Sequence, residues 1–401
     1  MSAASNPALI QSLLEKTVSD QNISAFYPPG SLGPIASKIA QSGVVKVLAE
    51  RWELPLEVAM DLCKLALFDT ILYLDDSASM FRARREEMRH VLDLVVFAAT
   101  RFDSDGISIR WMNSTVEGDN ISNTEAVQKI FGQIKFDGYT PLGTELKRRI
   151  LKPQIVEKAK RNNLRKPVLI VAITDGAPTG EPWDKLVDVL KDAKKDLEKT
   201  RYGADSLSLQ LAQVGDDQEA RRFLEQVDEH PQIGGLIDVT SNYKNEADNL
   251  RKANPPCVLT NQLWVCKLLL GAIDSSYDHL DEKHTGQSAY ASKLNYVSAH
   301  PQEYREWGSN PPAPAPGQTI NYQSQPDAGG YGGGGYGGGY GQTQPNFNIP
   351  FGNPASGGHN QQGGYPQQGG YPQQGGYPRQ GGYNQQQGGY QQPPGNYGYG
   401  A

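Results

Sequence analysis

VLIVAITDGAPTG (168–180) is the stretch on which the fold turns. An unbroken apolar run from Val168 to Ile173, then Thr174, Asp175 and Gly176, describes a strand covered on both faces that empties into a polar loop. On either side of it, ILYL (71–74), ISIRWM (107–112), LSLQLAQV (207–214) and LIDV (236–239) are further short strand candidates. Helical stretches around 82–101, 122–133, 143–160, 183–199 and 217–228 lie between them. Strands alternating with helices predict α/β construction around a largely parallel sheet. The mixed character of ISIRWM places it nearer an edge than VLIVAI.

Upstream, residues 1–67 read as a helical segment broken at Tyr27–Gly33 and near Leu54 and Pro55. In LPLEVAMDLCKLALF (54–68) the apolar positions recur at helical spacing, with Glu57 and Asp61 expected to face out. So short a segment buries little core alone, so it is expected to pack as a collar on the α/β domain at 68–245. Downstream, 246–308 is expected to be a helical extension in which LWVCKLLLGAI (263–273) closes the domain. Residues 309–401 are rich in Gly, Gln, Tyr and Pro, and carry only Asp327 and Arg379 as charged side chains. Tyrosines at 365, 371, 377, 383 and 390 recur without an apolar face, which predicts a disordered tail of repeated aromatic stickers. Such a tail suits multivalency and self-association, or equally a soluble spacer, and its GGYxQQ repeats resemble yeast prion-type tails in composition.

The net charge of −6 over 401 residues argues against a broad phosphate-binding surface, and so against nucleic acid as the partner. Apolar runs are too short for a membrane span, and MSAASNPALIQSLLEKT lacks the features of a secretory leader. A cytoplasmic location is the expectation. Cys63, Cys257 and Cys266 are too scattered for a disulfide framework or a zinc cluster and read as buried thiols. The six histidines show no paired spacing, and nothing makes a catalytic case.

The chemistry concentrates where strands end. LDDSASM (74–80) carries Asp75, Ser77 and Ser79 as DxSxS, FDGYTPLGTEL (136–146) carries Thr140 on a turn before a helix, and Asp175 ends the most apolar strand. Two carboxylates and three hydroxyls are hard oxygen ligands, suited to Mg²⁺, Mn²⁺ or Ca²⁺. Hydroxyls leave such a metal partly uncompensated, so an open position would attract an acidic group. Read separately, DxSxS is more often helix-capping chemistry; beside Thr140 and Asp175 the metal reading prevails. Asp76 is expected to point away as a solvated or capping acid. Arg82, Arg84 and Arg85 read as a solvated helix face, or as a cluster steering acidic partners.

DDSASM, YTPLGTEL and ITDG, in this order and at roughly these separations, resemble the von Willebrand factor A domain over about residues 68–245. The resemblance implies a Rossmann-like doubly wound sheet with one short antiparallel edge strand, which STVEGDN (114–120) could supply. It also implies a metal-ion-dependent adhesion site. Ser77, Ser79 and Thr140 would bind through their hydroxyls, Asp75 and Asp175 directly or through water, and a partner's Asp or Glu would complete the shell. Ala78 and Tyr139 stand where many members have glycine, and Thr144 competes with Thr140. The expected function is a non-enzymatic, metal-dependent protein-interaction module. Its rivals are a Mg²⁺-dependent phosphohydrolase using Asp75 as nucleophile, which Ser77 disfavours by occupying the place of a second acid, and an assembly protein driven by the tail.

Overall fold

The computed structural model describes residues 3–252 and 258–277. The tail at 309–401, residues 278–308 and Cys257 lie outside the described residues. Six strands form one sheet: β1 (Asp69–Leu74), β2 (Ile107–Trp111), β3 (Gly118–Ile121), β4 (Val168–Thr174), β5 (Leu207–Gln213) and β6 (Ile237–Thr240), in the order β3-β2-β1-β4-β5-β6. All neighbours pair parallel except β2 with β3, which is antiparallel. The short edge strand is therefore present, at Gly118–Ile121.

Twelve α-helices accompany the sheet within the described residues: α1 (Pro7–Asp20), α2 (Leu32–Ser42), α3 (Val44–Arg51), α4 (Leu56–Asp61), α5 (Ala83–Phe102), α6 (Thr124–Phe131), α7 (Leu142–Leu146), α8 (Glu157–Lys160), α9 (Lys185–Leu197), α10 (Gln218–Asp228), α11 (Tyr243–Lys252) and α12 (Asn261–Leu270). Side chains alternate across the strands, so Leu72, Leu74, Leu169, Val171 and Ile173 join one core with α5, α6 and α12. Ile71, Tyr73, Ile170, Ala172, Leu209 and Leu211 join another with α7, α9 and α10. Helices thus cover both faces, and VLIVAI is buried along its whole length at the centre.

The N-terminal helices share the first core: Ile10, Leu14, Leu48, Val58 and Leu62 belong to the same cluster as Leu92, Val95 and Leu268. Between α4 and β1 the chain tightens into a 3₁₀ helix, Leu62–Leu67, which is buried throughout. That burial overturns the outward placement of Asp61. Its side chain is sealed in the interior, 2.9 Å from Lys64 Nζ, and accepts a 2.7 Å hydrogen bond from the Tyr277 hydroxyl. Lys64 also pairs with Asp274, so a cation from the next turn and a phenol brought in by tertiary packing replace water around the acid.

The helix expected over 143–160 runs from Leu142 to Lys160 but widens to π-helical turns at Lys147–Val156. Pro153 lies inside that span. Proline has no N–H and clashes with the carbonyl of a regular α-turn, and wider turns relieve both problems. Gly143 has a separate role: a Cβ there would come within 2.7 Å of the Leu186 backbone, so α7 and α9 meet at a contact that only glycine permits. Among the described residues no helix is long and apolar enough to cross a membrane.

Candidate metal centre

The strand order reverses between β1 and β4: the chain leaves β1 outward to β2 and β3, then returns across β1 to build β4, β5 and β6. Loops leaving the carboxyl ends of β1 and β4 splay apart at such a point, and a crevice opens between them. Asp75 follows β1 and Asp175 follows β4, so both acids flank it.

Hydrogen bonds lace the first and third loops together. Asp75 Oδ1 accepts from the Ser77 N–H at 2.9 Å, and its Oδ2 accepts from the Thr174 hydroxyl at 2.6 Å. The Ser77 and Ser79 hydroxyl oxygens stand 2.9 Å apart, and Ser79 donates to Asp175 Oδ1 at 2.8 Å. Asp75, Ser77 and Asp175 are buried, whereas Ser79 is exposed and marks the open side. Burial is the largest influence on Asp75 and holds its carboxyl up at about 6, against the hydrogen bonds from Ser77 and Thr174.

The second loop is tied to both others through backbone. Gly138 takes a left-handed φ of +95°, and its carbonyl accepts from the Ala78 N–H at 3.1 Å. Thr140 donates its N–H to the Thr179 hydroxyl at 2.8 Å, and its carbonyl accepts from the Thr179 N–H at 3.1 Å. Glu181 accepts from the Gly143 and Thr144 N–H groups at 2.7 and 2.8 Å, setting a carboxylate on the first turn of α7. Thr140 is buried and Thr144 exposed, so of the two competing hydroxyls Thr140 is the one carried inward.

Two of the three arginines depart from the solvated face expected of them, and Asp76 takes the capping one of its two expected roles. Asp76 is buried rather than solvated, and caps the loop after β2 by accepting from the Asn113 and Ser114 N–H groups, both at 2.7 Å. Arg84 crosses to Asp175 Oδ2 at 2.5 Å. Arg85 lies over the rings of Phe131 and Phe136, 5.4 and 4.9 Å from their centroids. Only Arg82, over the ring of exposed Phe81, keeps the character of a surface cation. Thr174 stands in the ITDG motif without a role assigned to it there, and Thr179 and Glu181 carry no motif, because each acts through a loop distant in sequence.

Would these residues suit a metal? Neighbouring vertices of a Mg²⁺ octahedron lie about 2.9 Å apart, from bonds of about 2.05 Å. The Ser77–Ser79 and Ser79–Asp175 separations of 2.9 and 2.8 Å are compatible with that spacing. The donors are all hard oxygens, and two of them are carboxylates. The oxygens of Ser77, Ser79 and Asp175 thus have the chemistry and spacing that a small divalent cation takes, and Thr140 joins them here by burial and backbone ties alone.

No family model matches this chain, and no curated protein matches it. The geometry therefore carries the reading of the site. One other acidic group deserves comparison: Asp69, Asp103 and Asp105, where one oxygen of each falls within 4.8 Å of the others. Lys166 lies 2.9 Å from Asp103 and 3.5 Å from Asp69, so a protein cation already bridges two of the three. That cluster reads as an ion-pair network.

Proposed function

We propose that this chain is a metal-ion-dependent protein-interaction module of the von Willebrand factor A type. Asp75, Ser77, Ser79, Thr140 and Asp175 would hold Mg²⁺, or Mn²⁺ or Ca²⁺, and the metal's open position would take an Asp or Glu of a partner protein. One observation carries the reading: Ser77, Ser79 and Asp175 are linked side chain to side chain at the sheet's switch point, with Asp75 tied to Ser77 through the backbone.

The surroundings support a receptor for protein. Phe81, Tyr139 and Trp183 are 62, 69 and 40 % exposed, and each stands on one of the three loops that carry the site. Exposed aromatics on the loops that carry a polar centre suit a protein-binding surface. The phosphohydrolase reading fares worse. Asp75 is fully buried and both its oxygens accept hydrogen bonds, a poor arrangement for a nucleophile that must reach a phosphorus atom. The tail would add multivalency, and its removal after Gly308 should abolish clustering while leaving partner recognition intact.

Calorimetric titration of Mg²⁺ or Mn²⁺ into the protein and into Asp75→Ala with Asp175→Ala tests the proposal. Binding heat should appear with the parent and vanish with the double variant; equal heats would overturn the metal reading. In a parallel pull-down, a chelator should release the bound partner.

A further inference from the structure

Arg84 is the second residue of α5, and its guanidinium reaches into the candidate metal centre rather than outward. Its side chain is 30 % exposed, whereas Asp175 is fully buried. Asp175 is thus held on one oxygen by Ser79 and on the other by a permanent cation. A divalent metal and Arg84 need the same negative charge. With Asp75 as the only other acid of the set, a metal that shared Asp175 with the guanidinium would sit beside a like charge in a buried setting, where repulsion is weakly screened.

A second carboxylate stands beside the arm. The arm passes over Gly215, which has a φ of +71° and where a Cβ would come within 2.9 Å of Arg84 Nε. Glycine leaves that surface clear. Glu87 is one turn further along α5 and accepts a 3.0 Å hydrogen bond from the Gly215 N–H. Arg84 is therefore bound to one carboxylate, Asp175, while a second, Glu87, is held at the same Gly215 over which its arm passes.

We propose that Arg84 is a tethered competitor for the metal: it occupies Asp175 when the cation is absent and moves toward Glu87 as the cation enters. The inference rests on the metal reading given above. It adds that the chain carries its own brake on metal loading. The site is occupied only where free metal is high enough to displace the arm, and adhesion through it is graded by metal supply. Exchange of the two cations is reversible and requires no covalent step.

The test titrates Mn²⁺ into the full chain and into Arg84→Gln and Glu87→Gln. A charge-assisted hydrogen bond given up on binding is expected to make Arg84→Gln bind on the order of tenfold more tightly than the parent. Glu87→Gln, which removes the second carboxylate, should bind more weakly than the parent. Equal or weaker binding by Arg84→Gln beside measurable binding by the parent overturns the competitor role and leaves the metal site standing. Binding by Arg84→Gln alone supports the brake. Absence of binding by both proteins, each still melting cooperatively, overturns the metal reading and the brake together. Should Arg84→Gln fail to fold, the Nε–H resonance of Arg84 in the parent decides. It should move on saturation with Mg²⁺, and an unmoved resonance in a metal-loaded protein overturns the proposal.

Discussion

Two ion pairs with buried carboxylates lie in different parts of the fold and have different prospects. Lys267 on α12 meets Glu246 on α11 at 2.8 Å, with both side chains 1 % exposed. Arg84 meets Asp175 at the mouth of the sheet's crevice, where only the acid is sealed. A pair closed on both sides cannot exchange its cation without unfolding part of the core, so it acts as structure. A pair whose cation keeps contact with water can release it at modest cost, and its carboxylate stays available to a ligand. Openness of the cation, more than burial of the acid, separates a site from a scaffold here.

The largest effect expected from this contrast is at the closed pair. Lys267→Met takes the ammonium away from the buried Glu246 carboxylate, and should cost about 3–5 kcal/mol in chemical denaturation. A loss below about 1 kcal/mol would break the comparison by showing that water reaches the pair.

Next comes the pH dependence of the metal-free protein. Asp75 is held at about 6 in the fold, above the ordinary carboxylate value of about 4. The native state therefore binds the proton more tightly than the unfolded chain does. Stability from this group is complete below about pH 4 and is lost as pH rises to about 6, a change on the order of 2–3 kcal/mol. Asp75→Asn removes the charge, so the melting temperature of the variant should gain on the parent across that window. Parallel profiles would show that burial does not outweigh the Ser77 and Thr174 hydrogen bonds at this carboxylate.

At the open pair, Arg84→Gln without metal should cost about 1.5–2 kcal/mol, less than Lys267→Met, because the guanidinium is part-exposed. Saturating Mg²⁺ should restore the loss, read as a thermal shift; a cost equal to that at Lys267 would erase the distinction. Smallest is the exposed pair of Lys147 and Asp192, 2.8 Å apart, where Lys147→Ala should change stability by less than about 0.5 kcal/mol.

Much of the framework was legible in the residues. Strand positions followed from apolar runs because a buried parallel strand has to be apolar on consecutive positions, and VLIVAI and ILYL are. Asp75 and Asp175 were legible because each closes such a run, and strand ends are where open sheets place their loops. The π-helical stretch around Pro153 was not, because helical periodicity survives a local change of turn. Asp61 was misread for a related reason. Helical spacing identifies the apolar face of one helix, but the polar face of α4 is covered by Lys64, Asp274 and Tyr277, the last two more than 200 positions away.

What the sequence determined by itself is local: which segments are strands, where they end, and which oxygen-bearing side chains stand at those ends. Only the tertiary structure decided their partners. Arg84 is separated from Asp175 by 91 positions and Thr174 from Asp75 by 99, and no periodicity or spacing rule spans such intervals. Sheet order brings β1 beside β4, and that adjacency turns three unremarkable loops into one polar centre closed by an arginine.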